Sequence, residues 1–228
     1  MSLAKQLAAM GAPASLVDAV PDDPEDAWAW SERLEGSVWI GGAAAVALDE
    51  MLRVVSGLVA EALVQVPPAE SLVLEALETA ERCVRRQATR ADCQRLAAAC
   101  EEAAREAPAT FRAAPPRAYR ELVGAGAAVA RAAEAIMSAR LRDEAARMER
   151  ARNSARLLGI GVDVFAPAAD PAPRLDVDHL GHPIQAELLY VVAALAEAAR
   201  LLEAAHAELD EPTGAALSAA FRERFTTL

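Results

Sequence analysis

The chain has 228 residues, enough to bury a core without disulfide help, and 58 of them are Ala, so its 54% hydrophobic content overstates the large apolar side chains. The formal charge of −11 is uneven: residues 1–66 hold 3 basic and 10 acidic side chains, 67–138 hold 10 of each, 139–158 hold 6 and 3, and 159–228 hold 4 and 11. Acidic ends around an Arg-rich segment exclude a general nucleic-acid binder, which needs a dominant basic footprint, and abundant Ala makes an all-helical chain the expectation.

In chain order, residues 2–10 and 14–20 are expected as two short helices parted by Gly11 and Pro13. The first stretch has one Lys and too short an apolar run for a secretory leader. Asp23 as cap, Pro24 at the first helical position and Glu25 and Asp26 in the first turn predict a helix that ends near Gly36. Residues 38–48 are apolar throughout, but a bilayer span needs about 20 such residues. The run continues into Leu48, Met51, Leu52, Val55, Leu58, Val59 and Leu63, at three- and four-residue steps. That spacing predicts an amphipathic central core helix with an all-apolar first half, in which Gly41 and Gly42 admit another backbone.

Pro67 and Pro68 end that helix, and the next is predicted over residues 69–87. Residues 89–92, TRAD, resemble a cap for a helix over 90–107. Residues 117–158 contain no Pro, and only Gly124 and Gly126 interrupt them. They predict either one helix of about 60 Å or one that bends at the glycines. Residues 159–181 contain Pro167, Pro171 and Pro173 and read as a linker. Its apolar ends should dock, while its middle should be exposed and cut first by trypsin at Arg174. A long helix over 183–209 and a short one from Pro212 to Phe225 complete the chain. The expected fold is all-α: one up-down bundle of six to eight helices, two of them long and packed like a coiled coil. Its parts are N-terminal helices over 1–66, a helical core over 67–158, the linker, and C-terminal helices over 182–228.

Three clusters carry candidate chemistry. Trp28, Trp30 and Trp39 lie within twelve residues and among carboxylates such as Glu32. Trp28 and Trp30 are two apart, so one helix cannot bury both on the same face. An exposed Trp ringed by acids is a recognition surface for a basic protein, although packing of both under the N-terminal helices is the plainer reading. Arg140, Arg147 and Arg150 belong to an Arg-rich helix face that either pairs internally or docks an acidic partner. Asp176, His179 and His182 are the weak metal candidates, but a loop with two His reads more simply as the lead into a helix that starts at Pro183. The Cys at 83, 93 and 100 lack metal spacing and read as buried apolar residues in a reducing compartment. No nucleophile elbow or Cys/His signature is present, so no catalytic residue and no cofactor are expected.

Residues 69–107, AESLVLEALETAERCVRRQATRADCQRLAAACEEAAREA, with the Ala-rich stretch that follows to 136, resemble the helical immunity proteins of bacterial polymorphic-toxin systems. The likeness rests on Ala- and Arg-rich helix pairs of similar rhythm. It implies a cytoplasmic, non-enzymatic protein that binds and blocks a toxin, and it assigns no site residue. An adaptor belongs to the same class. The alternatives are a self-assembling helical scaffold, in which acidic segments face the Arg strip of a second copy, and a metalloprotein or enzyme built on Asp176, His179 and His182.

Overall fold

Prolines and capping side chains mark several of the helix starts in the computed structural model, which describes residues 2–106, 115–158, 172–209 and 214–225. Among these, ten α-helices and one 3-10 turn form and no strand does. The first five helices are α1 (Leu3–Met10), α2 (Ala14–Val17), α3 (Pro24–Trp30), α4 (Leu34–Ala43) and α5 (Leu48–Leu63). They are followed by α6 (Pro67–Val84), α7 (Arg90–Glu106), α8 (Pro116–Leu158), α9 (Pro183–Glu208) and α10 (Gly214–Glu223). Gly11 closes α1 at φ 81°, a left-handed conformation that glycine adopts without penalty. The Asp23 carboxylate caps α3, accepting from the N–H of Glu25 at 2.9 Å and of Asp26 at 3.1 Å. Pro67 opens α6 as well as ending the helix before it, because the first helical position needs no N–H.

Two predicted helices are divided differently from expectation. The helix from Pro24 stops at Trp30 rather than near Gly36, and Gly36 lies inside α4. The reason is tertiary. The Ser31 carbonyl accepts from Ser218 Oγ at 2.7 Å and from the Arg222 guanidinium, while Ser31 itself takes an extended conformation. A Cβ at position 36 would stand 2.6 Å from Ser31 Oγ, so this glycine serves close approach and not termination. The apolar run 38–48 is not the first half of one helix either. It ends α4, turns through Ala45 at φ 56° and restarts at Leu48, whose N–H donates to the Pro173 carbonyl at 3.0 Å. Between residues 34 and 42 only Glu35 of α4 is not buried, which explains a stretch without polar periodicity.

The core is built around α8 and α9, which share the most extensive helix pairing. They run antiparallel, since Arg117 meets Glu208 at 2.7 Å while Arg142 meets Glu187 at 2.8 Å. Helix α8 is continuous through Gly124 and Gly126. A Cβ at Gly126 would lie 2.9 Å from Val73 of α6, so the glycine lets these helices approach. Ala125, Ala128, Ala132 and Ala133 are fully buried, and Ala thus acts as a contact residue between closely spaced helices. The Pro116–Ser154 stretch is long and apolar enough by composition to cross a membrane, but 78% of its most apolar window is buried inside the fold. Past residue 140, α8 extends beyond the core and exposes Leu141 and Met148.

Of the expected linker, residues 159–171 lie outside the described residues. The described end does dock: Leu175 is buried, and Val177 and Leu180 pack against the core.

Candidate functional site

The three tryptophans separate. The Trp28 ring packs against Phe221 at 6.0 Å and Phe225 at 6.2 Å, tying α3 to α10. Trp39 is 6% exposed and belongs to the hydrophobic core, so it leaves the set of surface contact residues. Trp30 projects from the other side of α3 and is 42% exposed. Together with Pro13, Leu16, Glu32, Arg33, Glu35 and Gly36 it lines a recess of about 470 Å³. The α1–α2 connection supplies the apolar wall, and the extended 31–33 segment supplies the polar one.

The electrostatics of this recess follow from which charges are already paired. Arg33 is held by Glu203 at 3.2 Å and by Glu35 at 3.1 Å. Burial raises the Glu35 carboxyl above its ordinary range, against the opposing pull of Arg33. In contrast, Asp18, Asp22, Glu25, Asp26 and Glu32 are exposed and have no ion-pair partner among the described residues. The recess thus sets the exposed indole beside one unpaired carboxylate, Glu32, and the Arg33–Glu35 ion pair.

The Arg strip and the His-bearing loop meet at a second place. An open cavity of about 800 Å³ is lined by Arg140, Arg150, Arg174, Asp176, His179 and His182, among others. Most of these side chains hold the fold together. Arg140 donates to the Val84 carbonyl and lies 3.8 Å from Asp49. Arg147 pairs with Asp143 at 2.7 Å, one helical turn away. Arg150 is exposed, with Nε 3.3 Å from the Ala146 carbonyl. Asp176 caps the 3-10 turn Val177–His179, accepting from the Asp178 N–H at 3.1 Å, and its other oxygen is 2.7 Å from His179 Nδ1. His182 Nδ1 accepts from the Ile184 N–H at 3.3 Å and caps α9. Among the described residues, no group of three or more His, Cys, Asp or Glu is placed to hold a metal ion. The loop thus has the geometry of a helix lead-in.

Sequence reasoning missed Glu203, whose carboxylate reaches from α9 to both Arg33 and the Leu34 N–H. It also missed Ser218, which bonds Ser37 Oγ at 2.7 Å and the Ser31 carbonyl. Neither had a sequence signal, because their partners lie more than 160 positions away. No family model matches the chain, and no curated protein or solved structure matches it either.

Proposed function

We propose that this chain is a non-enzymatic helical protein-binding protein of the bacterial cytoplasm, which engages a basic protein through the face around Trp30. An immunity protein or an adaptor is the role this suits best. The observation that carries the reading is the exposed Trp30 indole in a recess beside Glu32, a carboxylate with no ion-pair partner among the described residues. Aromatic anchors with complementary charge are what hot spots are made of. A partner Lys or Arg in the recess would meet the indole face and Glu32, with Glu35 behind them. The antiparallel α8 and α9, read as the coiled-coil-like seam of an up-down bundle, serve as the rigid support on which this face is carried.

The test is photo-crosslinking in the host with an unnatural residue at position 30, compared with the same residue at Val64, which is 76% exposed. A basic protein should be trapped at 30 and not at 64, and Glu32→Arg should reduce the capture. Equal yields at the two positions, or capture indifferent to Glu32→Arg, would overturn the reading.

A further inference from the structure

We propose that the groove between α8 and the beginning of α9 binds a neutral polyol, a single sugar ring or a molecule of that size. The groove holds a cavity of about 360 Å³, which shares no lining residue with the Trp30 recess. Ser138 lines it from α8, 9% exposed, and the Ser138 Oγ is buried with no hydrogen-bond partner. Glu187 lines it from α9. One of its carboxylate oxygens holds Arg142 at 2.8 Å, and the other is buried and unpartnered. Buried polar atoms are paired in most folds, because an unpaired one has lost its water for nothing. Two such atoms in the lining of one cavity, one from each helix, mark it as a place to hold a polar ligand.

The charge of the lining selects the ligand. Its guanidinium groups and carboxylates occur as pairs, Arg90 with Glu134 and Arg142 with Glu187, so the lining carries no net charge. An ammonium ion would meet both guanidinium groups there, and an anion both carboxylates. Apart from these pairs neither arginine has a partner among the described residues, so both retain unused N–H donors. The walls thus offer donors on the arginines, an acceptor on Glu187 and a hydroxyl of either kind on Ser138. A ligand hydroxyl both donates and accepts, so neighbouring hydroxyls on one molecule answer all three. Tyr190, 48% exposed, and Pro183 add an apolar rim that suits the C–H face of a sugar ring. Because the Ser138 hydroxyl has no bond to give up, it turns about χ1 toward such a ligand without breaking a contact of the fold.

Saturation-transfer difference NMR on the full chain tests this. The probes are D-glucose, D-galactose, D-mannose and myo-inositol, with methylammonium, acetate and acetamide as controls. At least one polyol should give a transfer signal, and the controls none. Ser138→Ala should keep at least the wild-type thermal midpoint, since the hydroxyl holds nothing in place, and should weaken binding about ten-fold, as for one lost hydrogen bond. Tyr190→Ala, at an exposed position that leaves the core intact, should weaken binding as well. Silence from every polyol overturns the proposal, as does a polyol affinity that either variant leaves unchanged. A control that binds the wild type and loses its signal in Ser138→Ala overturns the neutral polyol as the ligand.

Discussion

Glu203 of α9 caps α4 from across the fold: one carboxylate oxygen accepts the Leu34 N–H, and the other holds the Arg33 guanidinium at 3.2 Å. Helix α4 has no side-chain cap of its own, since Arg33 stands at the cap position. Glu203→Ala should therefore destabilise the protein by about 1–3 kcal/mol, the range of a lost cap and a lost charge-assisted hydrogen bond. Glu203→Gln, which keeps the acceptor, should lose less. Urea titration measures both, and equal midpoints for wild type and Glu203→Ala would sink the account.

The packing of α4 on α9 depends on the absence of a side chain at Gly42. A Cβ there would sit 2.8 Å from both methyl carbons of Val192. Gly42→Ala should cost about 1–3 kcal/mol by overpacking, although alanine is the better helix former. Val192→Ala in the same chain should recover part of the loss. A thermal melt of the double variant no higher than that of Gly42→Ala would show that the clash is not the cause.

Trypsin at Arg174 should be slower than its exposure suggests. Pro173 on one side is bonded to Leu48, and Leu175 on the other is 1% exposed. A protease needs both flanks extended, so cleavage there requires local opening. Leu175→Ala should speed the cut at Arg174 many-fold. The C-terminal fragment should stay bound under native conditions, because α9 buries its Leu and Val side chains against α4, α5 and α8. Its release as a separate folded piece would indicate two domains.

The three thiols should be silent in the folded protein. Cys83, Cys93 and Cys100 are fully buried. Burial pushes the Cys100 thiol up to about 12, and the Cys83–Cys93 contact raises Cys93 while it lowers Cys83 against the opposing effect of burial. Since a reagent reaches none of the three while they are buried, labelling by a maleimide at neutral pH should track unfolding in urea. A fast native-state phase would contradict the packing of α6 on α7.

Much of this protein is legible locally. The starts at Pro24, Arg90 and Pro183 follow from prolines and caps within a few residues, and such short-range chemistry acts whatever the rest of the chain does. The apolar stripes on α5 and α9 marked core residues for the same reason. What the tertiary structure decided are the features whose partners lie far along the chain. The 38–48 run could not reveal its break at Ala45, because Leu48 finds its acceptor in Pro173. The end of α3 was invisible because Ser218 and Arg222 take the Ser31 carbonyl. The same holds for the surface. Trp28, Trp30 and Trp39 look equivalent in one dimension, and only the placement of Phe221 and Phe225 beside Trp28, with Trp39 in the core, leaves Trp30 to face solvent. Helical periodicity selects a face, whereas burial of that face depends on which other helix arrives to cover it.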